Sequence, residues 1–283
     1  MTDFSNRNPA DLIADIEARA RVYRTPCGEG SMVWRVWGEG EPLILLHGGF
    51  GSWYHWVKNV ESLAQHYRVI AADMPGQGDS DDPSHPYDGP SLAEIVAKGV
   101  EELTEADEPL RFACFSFGSV IGGLAAATFG ARVKAFVGIG PAGLGPRDDF
   151  VSPLVKITPD MSPELAEKTY RSNLAILMFA EQENVDELAV HIQRSNTERN
   201  RIRSRPISLT FLLQETYPKI KAPISLIYGS QDVTMFGVLE QRIAALRAVQ
   251  PEAQVHLLEG IGHWAQYEAP ALTEEKLLKA LRG

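Results

Sequence analysis

The sequence predicts an α/β protein: a mostly parallel sheet of eight strands, flanked by helices, with a helical insertion late in the chain. Two patterns and one bulk property predict it. Strand-like segments fall near residues 21–26, 32–37, 43–47, 67–73, 111–116, 133–139, 224–229 and 253–258, and helical segments separate most of them. Such alternation implies parallel strands covered on both faces, with ligands at the carboxyl ends of the strands. The alternation breaks between about 146 and 206, where no strand pattern is found. With 283 residues and 44% hydrophobic content, the chain can bury a substantial core as one domain with a smaller insertion.

Taken in order, residues 11–20 (Asp-Leu-Ile-Ala-Asp-Ile-Glu-Ala-Arg-Ala) read as a short amphipathic helix ahead of the first two strands. The third strand is the apolar run Leu43-Ile-Leu-Leu46, which runs into His47. Ser91-Leu-Ala-Glu94 has the spacing of a capping box that opens the helix after the fourth strand. In Arg111-Phe-Ala-Cys-Phe-Ser116-Phe-Gly118, the run before Ser116 reads as a buried strand, and the small-residue run after Gly118 as a helix. The breaker-rich Gly143-Leu-Gly145-Pro146 opens the insertion. Inside it, Pro163 after Ser162 suits one helix start, and Asn184 three residues before Glu187 suits another. The expected division is a core of residues 1–145 plus 207–283, with residues 146–206 as a helical lid over the strand ends. An ordinary pair of packing helices is the competing reading.

Composition narrows the function classes. A net charge of −10 argues against nucleic acid or an anionic membrane as the main partner. Cys27 and Cys114 are the only cysteines, and Cys114 falls in a predicted core strand, so no structural disulfide is expected. The opening Met-Thr-Asp-Phe-Ser-Asn-Arg-Asn lacks a basic n-region and an apolar h-region, and no apolar run is long enough to span a bilayer. A cytoplasmic location is the default expectation. The seven histidines form no His-x-x-x-His or Cys/His cluster, and no Gly-x-Gly-x-x-Gly joins a strand to a helix, so no metal or organic cofactor is expected.

The residues that carry chemistry sit at predicted strand ends. A strand–turn–helix corner at Ser116 would expose its Oγ and aim the first helical N–H groups where an oxyanion forms. Acyl transfer by a serine also needs a base, a carboxylate to orient that base, and donors for the oxyanion. Leu226-Ile-Tyr-Gly-Ser-Gln-Asp232 runs off a strand into a loop, and Leu257-Leu-Glu-Gly-Ile-Gly-His263-Trp264 repeats the arrangement one strand later. Ser116, Asp232 and His263 are therefore the expected nucleophile, orienting acid and base. Asp148 and Asp149 are the next candidates for the acid. In His47-Gly48-Gly49-Phe50-Gly51-Ser52, adjacent glycines let the backbone turn an N–H toward a ligand, so Gly49 and Phe117 are the expected oxyanion donors. His47 itself reads as structural.

At this point the chain resembles an α/β-hydrolase-fold serine hydrolase. His47-Gly-Gly, Asp73-Met-Pro75-Gly76-Gln-Gly78-Asp-Ser80, the Ser116 corner, Gly229-Ser-Gln-Asp232 and Gly262-His263-Trp264 match that superfamily in order, over about residues 30–283 apart from the insertion. The resemblance makes Asp73 to Ser80 a structural corner beside the site. One position departs: Cys114 stands where the family carries the first glycine of the corner, which implies a tolerated strain. Ser116 also argues against the haloalkane dehalogenases and epoxide hydrolases of this fold, which carry Asp there. Gly262-His263-Trp264-Ala265-Gln266-Tyr267-Glu268 resembles the bacterial meta-cleavage-product hydrolases, which cleave C–C bonds of vinylogous diketones. Those carry Asn before the serine and Gly-Pro-Gly after the His-Gly pair, where this chain has Phe115 and Phe50-Gly51-Ser52.

Substrate contacts are expected from Phe50, Trp53 and Trp264, beside the oxyanion and histidine loops, with burial in the core as the competing role for the aromatics. The apolar Leu174-Ala-Ile-Leu-Met-Phe-Ala180 either lines an acyl pocket or packs on the core. The arginine-rich run from Arg194 to Arg205 is unusual in an acidic chain. Val185, Leu188, Ala189 and Ile192 form an apolar stripe that the helix period extends to Asn196, Arg199 and Arg203. If the helix is continuous, Arg199 and Arg203 face the cleft and can hold a substrate carboxylate; otherwise they pair with Glu164, Glu167, Asp186 or Glu187. The expected activity is hydrolysis of a small carboxylic ester or lactone. C–C hydrolysis of the meta-cleavage type and ligand sensing without turnover are the alternatives.

Overall fold

The structure is a computed structural model that describes residues 2–4, 7–146 and 154–282. In chain order the elements are α1 (Pro9–Glu17), β1 (Arg21–Cys27), β2 (Gly30–Trp37), β3 (Pro42–Leu46), α2 (Val60–Leu63), β4 (Arg68–Asp73), α3 (Gly89–Leu103), β5 (Leu110–Phe115), α4 (Phe117–Phe129), β6 (Val133–Ile139), α5 (Pro163–Leu177), α6 (Glu187–Glu198), α7 (Ser204–Ser208), α8 (Leu212–Thr216), β7 (Ile224–Gly229), α9 (Leu239–Arg247), β8 (Gln254–Leu258), α10 (Ala265–Glu268) and α11 (Pro270–Arg282). The strands form one eight-stranded sheet in the order β1-β2-β4-β3-β5-β6-β7-β8. Pairings β1–β2 and β2–β4 are antiparallel, and the rest are parallel.

Hydrophobicity explains the layering. Strand β3 is buried at every position, and β4 to β7 nearly so, because helices cover both faces of a parallel sheet. One face packs Ile44, Leu46, Phe112, Cys114 and Phe136 against α3 and α4. The other packs Leu43, Leu45, Ala113, Val137 and Ile227 against α1 and α11. Both thiols are free and buried. No described helix is long and apolar enough to cross a membrane.

Several boundaries differ from expectation for local reasons. The first helix opens at Pro9, two residues early, because the Asn8 side chain accepts from Ala10 and Asp11 N–H groups. The capping box of α3 lies three residues upstream of the expected one: Asp88 is the cap and Ser91 its reciprocal partner. For α6 the cap is Asp186, which accepts from Ala189 N–H, rather than Asn184. Helix α5 starts as expected after Ser162, whose Oγ accepts from Leu165 N–H. The loops that follow β3, β5, β6, β7 and β8 all leave the same sheet edge, and they carry His47, Ser116, Gly140, Asp232 and His263.

Candidate active site

Ser116 occupies the turn between β5 and α4 with φ 50° and ψ −116°. A non-glycine residue held there costs about 1–3 kcal/mol, so the surroundings must enforce it. They do so through hydrogen bonds. Ser116 N–H donates to Ile139 O at 2.9 Å, and Ser116 O accepts from Ser119 N–H (2.9 Å) and Ala142 N–H (3.1 Å). Gly118 is needed two residues on, since a Cβ there would stand 2.5 Å from His47 O and 2.8 Å from Leu46 O. The departure at Cys114 also resolves sterically. A Cβ on Gly122 would clash with Cys114 Sγ, so the helix leaves room for a thiol where the family has a glycine, and the expected strain is relieved. Burial pushes the Cys114 thiol well above its ordinary pKa, which keeps it protonated and unreactive.

The histidine loop meets this corner. His263 Nε2 lies 3.0 Å from Ser116 Oγ, and Nδ1 lies 2.8 Å from Asp232 Oδ2. With Nδ1–H donating to the carboxylate, the Nε2 lone pair faces the serine hydroxyl. Asp232 is fully buried. Burial alone would raise its pKa, but the adjacent imidazole and hydrogen bonds from His263 and Thr234 outweigh that and hold it below the usual carboxylate value. Thr234 N–H donates to Asp232 Oδ1 at 2.8 Å. Two neighbours confine the ring, Phe115 and Gly140, of which Gly140 has no place in the sequence-based expectations. Phe115 packs on it with centroids 4.9 Å apart. Gly140, at φ 48°, lies so close that a Cβ would stand 2.7 Å from His263 Nδ1 and 3.1 Å from Asp232 Oδ2. A glycine directly after a strand that ends near the site was the available signal.

The loop after β3 is held by two buried histidines. His47 Nδ1–H donates to Gly48 O at 2.7 Å, and Nε2 accepts from Met74 N–H at 2.9 Å. Burial lowers the His47 pKa to about 4 despite nearby Asp73, so the ring is a neutral structural strut. Gly48 N–H donates to His55 Nδ1 at 3.1 Å. Gly49 thereby sits beside Phe117: a Cβ built on it would lie 3.8 Å from Phe117 Cβ and 2.6 Å from Ser204 Oγ. Phe117 is the first residue of α4, so its N–H has no acceptor inside the helix. Asp73 serves the adjoining corner, accepting from Trp53 N–H (2.8 Å), Arg35 Nη1 (2.9 Å) and Asp79 N–H (3.0 Å).

The other expected contacts divide. Phe50 is exposed and has φ 50°. Trp53 and Trp264 are not pocket walls; both have no accessible surface. Trp53 packs on Trp37 with centroids 5.1 Å apart, and Trp264 stacks on Tyr267 at 4.2 Å and donates its indole N–H to His55 O at 3.0 Å. The continuous helix that would turn Arg199 and Arg203 toward the cleft is not formed, because α6 ends at Glu198. Arg199 donates through Nη1 to Asp79 Oδ1 (2.7 Å) and lies 4.9 Å over the Tyr54 ring. The chain then peels away, with Arg201 N–H donating to Gly76 O at 2.8 Å, and Arg203 is exposed. The buried stripe does reach Asn196, whose Oδ1 accepts from Ser52 Oγ at 2.6 Å. Arg199 thus pairs with Asp79 rather than with one of the expected carboxylates of the insertion, while Arg194 pairs with Glu167 and Arg201 with Asp82. Asp148 and Asp149 lie outside the described residues. Among the described residues, no group of three or more His, Cys, Asp or Glu is placed to hold a metal ion.

Comparison with known proteins agrees with this architecture. A 2-hydroxy-6-oxo-6-phenylhexa-2,4-dienoate hydrolase of Burkholderia cepacia is 29% identical over 249 residues, covering 82% of this chain and 84% of that protein. Among solved structures, an esterase from Rhodococcus sp. ECU1013 superposes with a TM-score of 0.74 at 20% identity, over 93% of this chain and 98% of the other. A meta-cleavage product hydrolase from Pseudomonas fluorescens IP01 does so with a TM-score of 0.69 at 24% identity, over 89% and 94%. The model of the alpha/beta hydrolase family matches residues 43–276, from the third strand into the last helix, and the chain belongs to that family.

Proposed function

We propose that this protein is a serine hydrolase that cleaves a small carboxylic ester or lactone through an acyl-enzyme on Ser116. The observation that carries the reading is the 3.0 Å and 2.8 Å relay from Ser116 Oγ through His263 to Asp232, on a serine held in strained backbone. Ser116 Oγ attacks the carbonyl carbon while His263 Nε2 takes its proton. Asp232, kept ionised, stabilises the imidazolium. The negative charge on the carbonyl oxygen is met by the N–H groups of Gly49 and Phe117. His263 then protonates the leaving oxygen, and water repeats the sequence to release the acid. Residues 146–206, with α5 and α6 among them, act as the lid.

A second reading, C–C hydrolysis, is favoured by the dienoate hydrolase relative and by the Gly262–Glu268 segment. Against it stands Phe115, wholly buried where those enzymes carry Asn, so its side chain has no polar group to offer a diketone.

A panel of p-nitrophenyl esters, lactones, amides and dienoate diketones, assayed with wild type and Ser116→Ala, separates these readings. Ester or lactone turnover that falls by several orders of magnitude in Ser116→Ala is the expected result. Diketone turnover alone would select C–C cleavage, and binding without turnover would point to a sensing protein.

A further inference from the structure

The loop that carries His263 is tied to the segment between α5 and α6 at several points, and one carboxylate collects most of the ties. Glu268 Oε2 accepts from Gly262 N–H at 2.7 Å, directly before the histidine. The same carboxylate accepts from Ala180 N–H at 3.1 and 3.2 Å and from Asn184 Nδ2 at 2.9 Å. On the other side of the histidine, Trp264 N–H donates to Met178 O at 2.8 Å. The fit at Gly262 is tight: a Cβ there would stand 2.5 Å from Ala180 N and from Phe179 C. Tyr267 Oη adds a further tie at 2.5 Å to Asp186 Oδ1, at the start of α6. Toward the acid loop, Gln231 N–H donates to Ile261 O at 2.8 Å.

We propose that Glu268 is a positioning residue for His263: its carboxylate joins the peptide before the histidine to residues 180–184, so that seating of the α5–α6 segment sets the reach of the imidazole to Ser116. The inference rests on the reading of His263 as the base. An ionised carboxylate suits the role because it accepts several N–H bonds at once, each stronger than a bond between neutral groups. Removing it leaves three donors without their acceptor and frees the peptide that precedes the catalytic ring. A displacement of that ring by a fraction of an ångström lengthens the contact with Ser116 Oγ without touching the substrate.

The test compares wild type, Glu268→Ala, Glu268→Gln, Asn184→Ala and Ser116→Ala. It measures kcat and KM on a p-nitrophenyl ester, Tm, and the low-field NMR signal of the imidazole Nδ1–H that faces Asp232. Glu268→Ala is expected to lower kcat about 10- to 100-fold with KM within about two-fold, and to shift or broaden the signal. Glu268→Gln, which keeps one acceptor oxygen, should lose less, and Asn184→Ala about three-fold. The proposal is overturned if Glu268→Ala and Glu268→Gln keep kcat within two-fold while only Tm falls, or if the loss lies in KM with the signal unchanged. Should Glu268→Ala not fold, the other two variants decide by the same split. Turnover retained in Ser116→Ala would remove the catalytic reading instead; the NMR signal then decides the positioning role alone.

Discussion

Gly140 offers the sharpest test of how closely the histidine must be held. Its Cα faces the His263–Asp232 hydrogen bond, and a methyl group added there would stand 2.7 Å from His263 Nδ1, against at least 3.4 Å in an ordinary contact. The ring or the backbone must therefore give by about 0.7 Å. A misplacement of that size at reacting groups costs on the order of 100-fold in rate. Alanine at φ 48° adds about 1–2 kcal/mol of backbone strain, which by itself lowers stability and not kcat. Gly130 separates the two effects, since it has φ 54° and a Cβ there would meet nothing within 4 Å. Gly140→Ala and Gly130→Ala should both lower Tm by a few degrees, measured by calorimetry. Only Gly140→Ala should lose about 100-fold in kcat/KM on a p-nitrophenyl ester and label more slowly with a fluorophosphonate, which reacts through the same relay. If Gly140→Ala kept kcat/KM within three-fold of Gly130→Ala while folded, the placement of His263 would not govern turnover and its assignment as base would be refuted.

Gly122→Ala should destabilise by about 1–3 kcal/mol in chemical denaturation, because the new methyl meets Cys114 Sγ; Cys114→Ala in the same chain should recover most of it, and an additive double variant would count against the packing account. Stability should also fall with acid in two stages. His47 is fully buried with a pKa lowered from 6.5 to about 4, so the unfolded chain binds its proton first; stability is lost as pH falls from about 6.5 to about 4, by roughly 3 kcal/mol in all. Asp232, lowered in the folded state, contributes stability that is present above its unfolded pKa and lost only as pH falls through the folded value. His55, buried in the same way and held well below its ordinary pKa, adds to the first stage, so His47→Gln should reduce that stage without removing it and leave the second unchanged; urea unfolding between pH 4 and 7 that shows no reduction would contradict it. Arg199→Met should cost no more than about 1 kcal/mol, as its pair with Asp79 is partly exposed, and should leave the kcat/KM ratio of an acidic substrate to its methyl ester unchanged. A tenfold drop in that ratio would restore Arg199 to the substrate site.

Much of this molecule is written in short-range pattern. Strands such as Leu43–Leu46 and the run into Ser116 were legible because a strand buried on both faces must be apolar over its length. The glycines around Ser116 were legible too, since a tight strand-to-helix turn constrains its immediate neighbours. The positions of Ser116, Asp232 and His263 at strand ends follow from chain order in an alternating fold. Even the misplaced cap of α3 was a local matter: Asp88 and Ser91 form the same reciprocal pair that was assigned to Ser91 and Glu94.

What pattern could not decide depends on partners far along the chain. Trp53 and Trp264 sit next to site residues in sequence, yet Trp53 packs on Trp37, and Trp264 bonds to His55 O, 209 positions away. Arg199 continues the apolar stripe by period, but the helix ends before it and its guanidinium pairs with Asp79, 120 positions earlier. Cys114 is accommodated only because Gly122 faces it across the turn of packing between strand and helix. The sequence by itself determined the sheet, the serine corner and the chain order of Ser116, Asp232 and His263, all properties of local backbone preference and hydrophobic periodicity. Only the tertiary structure decided which aromatics are buried, where the arginines pair and what holds His263 in place, because these are contacts between distant segments whose energies exist only once the chain has folded.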